Sequence, residues 1–209
     1  MLRRSVSTIA LAGCLASGLF SAPAHAATAI TLTAYTDFTN NNWSLGFEFS
    51  PTANIDVTAL GSFFPTGVTD THGVSLWTNG GGTLLATTTV AGNGTEGFQF
   101  AAITPVPLSA GVDYVVSATT LHDLYAGNPT FTVDADINYI QHQEIECAGV
   151  TPVCYPTTLR QGLDDFGANF QFAAVSAVPL PAALPLFATG LGALGLLGWR
   201  RKKKVQAAA

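Results

Sequence analysis

The chain has 209 residues, 48% of them hydrophobic and only 10% charged. Its formal charge of −5 hides a division: between residues 27 and 177 all thirteen Asp and Glu meet one cation, Arg160, so that stretch alone carries −12. Such a field excludes nucleic acid and anionic membrane surfaces as partners, because both call for basic patches. Neutral glycans, divalent cations and plain solubility stay open.

At the N-terminus, Arg3 and Arg4 precede an apolar segment from Val6 to Phe20, and Ala24-His25-Ala26 sets small residues where a signal peptidase inspects the chain. Residues 1–26 therefore read as a secretory signal peptide, with a mature chain starting at Ala27. Leu11-Ala12-Gly13-Cys14 offers a competing reading as a lipobox with Cys14 lipidated. The short apolar stretch before Cys14, and the apolar sequence continuing to Phe20, weigh against it. The paired arginines lack the flanking residues of a twin-arginine signal, so export of the unfolded chain is expected.

Residues 27–177 are enough for one domain with a sizeable core. Thr, Val, Phe, Gly and Asn are abundant there, turn residues recur every eight to twelve positions, and no long helical period appears. Ile30, Leu32 and Ala34 alternate with threonines, and after the Asn40-Asn41-Asn42 turn Leu45, Phe47 and Phe49 alternate with Gly46 and Glu48. Strands are next expected at 55–64 and 74–78, then the hairpin signal Asn79-Gly80-Gly81-Gly82, then a strand at 83–90. Beyond Gly92-Asn93-Gly94, strands are expected at 97–103, 113–119, 130–137 and 167–174. About nine strands in one domain predict an all-β fold, an antiparallel two-sheet sandwich of jelly-roll or Ig-like type.

Several runs carry a resemblance: Gly46-Phe47-Glu48-Phe49, Val57-Thr58-Ala59-Leu60-Gly61, Val74-Ser75-Leu76-Trp77 with Leu84-Leu85-Ala86, and Leu108-Ser109-Ala110-Gly111 before Tyr114-Val115-Val116. Together they are similar to an uncharacterised β-sandwich domain that occurs repeatedly in bacterial surface and secreted proteins. The resemblance covers Asn42 to about Thr119 and implies the fold, with no catalytic residues attached.

After signal removal the remaining cysteines are Cys147 and Cys154, with six residues between them. In an exported domain they are expected to form a disulfide, pinning the long connection from Tyr139 to Asp165. A metal reading needs further thiols or spaced histidines, and only His142 is near.

Candidates for catalysis are few. His72 lies beside Asp70, His122 beside Asp123, and His142 near Glu144 and Glu146, yet no serine or thiol sits in a nucleophile elbow, and each group reads as a solvated loop residue. The carboxylate pairs Asp134 with Asp136 and Asp164 with Asp165 are of the type that hydrolyses glycans. Asp134 and Asp136, taken as neighbours on one face of a strand, also suit calcium, with Asp164 or Asp165 as a third ligand; the competing reading is outward polar residues on an exposed sheet face. Trp43 and Trp77 could stack on sugar rings if exposed, though strand residues among apolar neighbours are more often core.

Three blocks close the chain: Val178-Pro179-Leu180-Pro181, an uncharged apolar run from Ala182 to Trp199, and Arg200-Arg201-Lys202-Lys203-Lys204. The apolar run spans roughly 27 Å as a helix, close to the ~30 Å core of a bilayer, so residues 182–199 are expected to cross a membrane. The basic cluster belongs on the cytoplasmic side, which leaves the preceding domain outside. In order, spacing and position the blocks resemble the PEP-CTERM sorting signal of Gram-negative bacteria, with Leu180 where the name-giving Glu would stand. That resemblance implies a sorting segment over 178–209, an exosortase-type processing enzyme as partner, and an association with exopolysaccharide and biofilm matrix. The expected role is non-catalytic, structural or adhesive; a carbohydrate-binding module and a secreted glycan hydrolase are the alternatives.

Overall fold

In a computed structural model the described residues are 26–38, 42–121, 125–147, 154–160 and 165–175. Residues 1–25 of the expected signal peptide, with Cys14, and His122-Asp123, Asp164 and the whole C-terminal segment, including Val178 to Pro181, the 182–199 run and Arg200 to Lys204, lie outside them.

The described residues are all strand, turn and loop, and every strand pairing is antiparallel. In chain order the strands are β1 Ala27–Thr28, β2 Ile30–Phe38, β3 Trp43–Pro51, β4 Ile55–Phe64, β5 Thr71–Thr78, β6 Leu84–Ala91 and β7 Gly97–Leu108. They continue with β8 Tyr114–Thr119, β9 Tyr125–Val133, β10 Ile137–Glu146, β11 Thr158–Arg160, β12 Asp165–Phe166 and β13 Ala168–Ala174. A six-stranded sheet runs β11-β10-β3-β8-β5-β6 and a four-stranded sheet β1-β13-β4-β7. The expected two sheets become three, because β12-β9-β2 form a small sheet of their own. Two strands produce it by changing sheets: β1 turns into β2 at Ala29, and β12 into β13 at Gly167. Such corners are a common device of packed β-sheets.

The two large sheets press their apolar faces together. Phe47 and Phe49 of β3 meet Phe170 of β13 at ring-centroid distances of 6.3 and 4.5 Å. Phe166 joins from the small sheet, 5.8 Å from Phe47 and 4.8 Å from Phe131. Leu60, Leu76, Val116 and Phe172 complete a core of fully buried side chains. Burying one Phe or Leu of this kind contributes roughly 1.5–3 kcal/mol.

The expected hairpin forms as β5 and β6, with Ser75 opposite Thr87 and Trp77 opposite Leu84. Its turn needs glycine: Gly80, Gly81 and Gly82 take φ of 80°, 109° and 59°, where side chains are strained. The expected strand at 130–137 and the long connection after it are corrected. β9 ends at Val133, and β10 runs from Ile137 to Glu146 through residues assigned from sequence to loop. A bulge between Tyr139 and Gln141 shifts its register against β3, so no continuous apolar alternation marks it.

On one side of the molecule the sheet edges β6 and β7 stand beside each other without hydrogen bonding. A groove of about 570 Å³ runs between them, and Pro105 and Pro107 leave the β7 edge short of donors there.

Candidate functional site

Asp134 and Asp136, expected on one strand face, occupy the turn between β9 and β10. The Asp134 carboxylate accepts a 3.0 Å hydrogen bond from the Asp136 backbone N–H, and the Asp134 carbonyl accepts one of 3.0 Å from Ile137 N–H. This is an Asx turn that closes on itself, so one carboxylate already has a structural task.

The polar groups that the structure does gather are others. His142 and Glu144 of β10 lie opposite Phe47 and Leu45 of β3 and are 1% and 4% exposed, not solvated as expected. The bulge places them on the inner side. Asp165 of β12 closes on them, and the three ligating atoms lie within 4.8 Å of one another. His142 Nε2 sits 3.3 Å from Glu144 Oε2, whereas its buried Nδ1 has no hydrogen-bond partner among the described residues. One nitrogen and two carboxylates form a donor set of the kind that takes zinc. Glu144 and Asp165 each have further polar partners, however, and backbone register sets Arg160 of β11 opposite His142. We read the cluster as a buried polar tie between β10 and the sheet corner at β12.

His72 is equally unlike a solvated base. It is 1% exposed and stacks on Phe64 at 4.4 Å, with Nδ1 2.9 Å from the Ser62 hydroxyl. When that hydroxyl donates to the Gly167 carbonyl at 3.2 Å, it accepts a hydrogen bond from His72, and a serine in that role is not being activated by the histidine.

The disulfide between Cys147 and Cys154 forms as expected, with Cα atoms 5.9 Å apart. It lays residues 154–157 across the outer face of the six-stranded sheet. Ser44 donates to the Cys154 carbonyl at 2.8 Å, Tyr155 packs edge-on against Trp77 at 5.7 Å, and the Tyr155 hydroxyl donates to Asn79 Oδ1 at 3.2 Å. Trp77 is thereby 8% exposed, joined to Val115 in a second small apolar cluster, with its Nε1–H 3.3 Å from the Ser117 hydroxyl. Beside it the Glu48 carboxylate, 5% exposed, accepts from Gln141 at 2.6 Å, from Gln143 at 2.9 Å, and from the Asn79 side chain. The buried carboxyl group is held by neutral carboxamides, as burial of a polar group requires.

The outer face of the four-stranded sheet is different. Phe63 of β4 pairs in register with Phe98 of β7, and Gly61 with Phe100. Tyr35 of β2 leans edge-on against Phe63 at 5.0 Å, Phe63 meets Phe98 at 5.7 Å, and Phe98 meets Phe100 at 6.3 Å. The row is possible because Gly61 is bare: a Cβ there would lie 2.5 Å from the Phe100 ring. Tyr35, Phe98 and Phe100 are half-buried. A hollow of about 260 Å³ opens beside them, floored by Ile30, Leu32, Phe63 and Phe98. On its rim the exposed Glu96 carboxylate accepts from the Tyr35 hydroxyl and, at 2.9 Å, from the Thr66 hydroxyl. These two bonds hold the Glu96 carboxyl below the usual carboxylate range. Burial first, then Glu96 and Asp37, push the Tyr35 phenol up to about 12.

Fold and faces define a class of protein: an acidic, antiparallel, all-β domain with a sandwich-like core, closed on one flank by a disulfide. Residues 29–151 match the family described as a domain of unknown function (DUF4082). The match spans more than half of the 209 residues, and the chain belongs to that family. No curated protein matches it.

Proposed function

We propose that the chain is an exported, non-catalytic protein of the cell surface or extracellular matrix. In this reading a signal peptidase releases residues 1–26, the 182–199 segment holds the chain in the cytoplasmic membrane, and an exosortase-type enzyme cuts the sorting segment. The domain left outside then associates with exopolysaccharide. The observation that carries the proposal from the structure is the Cys147–Cys154 disulfide, the mark of an oxidising compartment. The three C-terminal blocks of the sequence supply the address. The engaged states of His72, Ser62 and Glu48 support a binding or structural role over a hydrolytic one.

We read the architecture as a jelly-roll-type sandwich. Successive strands β3, β4 and β5 alternate between the two large sheets, as do β6, β7 and β8, which supports a roll over an Ig-like arrangement.

Mass spectrometry of the mature protein with cell fractionation tests the sorting proposal. The expected chain begins near Ala27, ends between Pro179 and Ala182, and is found at the surface or in the matrix. Intact Lys202 to Lys204 peptides in fully matured surface material would overturn it.

A further inference from the structure

We infer that the half-buried aromatic row of Tyr35, Phe98 and Phe100, backed by the buried Phe63 and with Glu96 at its rim, is a binding site for one face of a neutral glycan. The inference rests on the surface or matrix reading above and names what the domain would hold there.

Large aromatic side chains normally go to the core, and this domain sends enough of them there. Phe63, which backs the row, is itself 2% exposed and belongs to the core, but Tyr35, Phe98 and Phe100 stay half-buried on the far side of the four-stranded sheet, on the face that carries Gly61 and Phe63, opposite to the face of Leu60 and Phe170 that meets β3. Its construction costs backbone freedom, since Gly61 gives up a side chain so that Phe100 can lie on the strand. The result is a half-open apolar surface of Tyr35, Phe98 and Phe100 at the margin of the core, too continuous to be scattered surface residues.

A sugar ring is apolar on one face, where axial C–H groups project, and polar along its edge. The half-buried rings of Phe98, beside the hollow, and of its neighbour Phe100 match the first, because aromatic faces attract C–H groups. The rim matches the second. Glu96 is ionised and acceptor-only, fixed by two hydroxyl donors, and retains lone pairs for sugar hydroxyls. Because the Tyr35 phenol keeps its proton, it holds Glu96 in place across the whole neutral range.

Size and charge narrow the ligand further. A hollow of about 260 Å³ lies below the ~300–1,000 Å³ of pockets that enclose small molecules, and it suits one residue of a longer chain resting on the face. The domain carries −12, with Glu96 itself on the rim, so an acidic polysaccharide is repelled where a neutral one is not.

The test uses the mature exported protein in affinity electrophoresis through gels containing hydroxyethylcellulose, galactomannan or dextran, with alginate as the acidic comparison. At least one neutral polymer is expected to retard the protein, and alginate is not. Phe100→Ala and Glu96→Gln should each weaken retardation at least fivefold, with unfolding midpoints measured alongside. Phe98 packs against the core and is a less clean probe, whereas Glu96 is exposed and its substitution leaves the fold intact. No retardation by any neutral polymer, undiminished retardation in both variants, or preference for alginate overturns the inference. The fractionation experiment is separate: a protein found correctly cut at the surface but blind to these polymers refutes the glycan site and leaves the sorting proposal standing.

Discussion

The two large sheets turn opposite kinds of outer face to the surroundings. On the six-stranded sheet the disulfide-pinned segment at 154–157 covers Trp77, and carboxamides surround Glu48, so the most conspicuous aromatic residue of the domain is sealed. On the four-stranded sheet smaller rings lie half-open beside a rim of hydroxyl and carboxylate. The difference teaches that aromatic type is a poor guide to accessibility. A residue 77 positions beyond the end of a strand can decide whether that strand's face is interior or exterior, as Tyr155 does for Trp77 in the strand that ends at Thr78.

The largest expected effect separates the faces by stability. Trp77→Ala empties a filled site and should cost about 3–5 kcal/mol in denaturant unfolding. Phe100→Ala removes a half-exposed ring and should cost under about 1 kcal/mol. Equal losses would mean that both faces are core and that the comparison fails.

Next comes the cover itself. Replacing Cys147 and Cys154 by Ser should lower stability by roughly 2–3 kcal/mol on the chain-entropy view of so short a loop. Tryptophan fluorescence should shift to the red as water reaches Trp77. A thermal midpoint and emission maximum identical to the parent protein would show that 154–157 lies over the sheet without help from the disulfide.

The smallest effect concerns the open face. The folded phenol of Tyr35 is raised from 10.0 to about 12, so the stability it contributes is fully present below pH 10 and is lost as pH rises toward 12. The Glu96 shift has the opposite sense: its contribution is present above the normal carboxylate range and fades as pH falls through its depressed folded value. Ultraviolet titration of phenolate should show a late component that disappears in Tyr35→Phe and moves earlier in Glu96→Gln. A late component unchanged in both variants would dissolve the rim.

Much of the fold was legible because local chemistry and tertiary structure agree. The Asn79-Gly80-Gly81-Gly82 turn demanded positive φ, and Val74 to Trp77 alternated cleanly, so the hairpin could be placed nearly to the residue. β10 was illegible for a physical reason. Gln141, His142, Gln143 and Glu144 are polar, yet three of them are buried, with contacts to Glu48 or to each other, and a period-2 reading has no apolar signal to follow there. Asp134 and Asp136 misled in the same region, because two-residue spacing fits a strand face and an Asx turn equally. The aromatic row was not singled out from the sequence: the two-residue spacing of Phe98 and Phe100 fits a shared strand face without saying which one. Only the register against Gly61 and Phe63 resolves that.

β13, the last described strand, lies between β1 and β4 and keeps seven register pairs with β4 and two with β1. Whatever grips the C-terminal end of the chain therefore pulls along a strand that is held on both sides. A load in that direction meets the ladder in shear, with many hydrogen bonds strained together and none free to peel first, while Phe170 and Phe172 must be dragged through the packed interior. The same strand that closes the sheet is in this way the mechanical root of the domain.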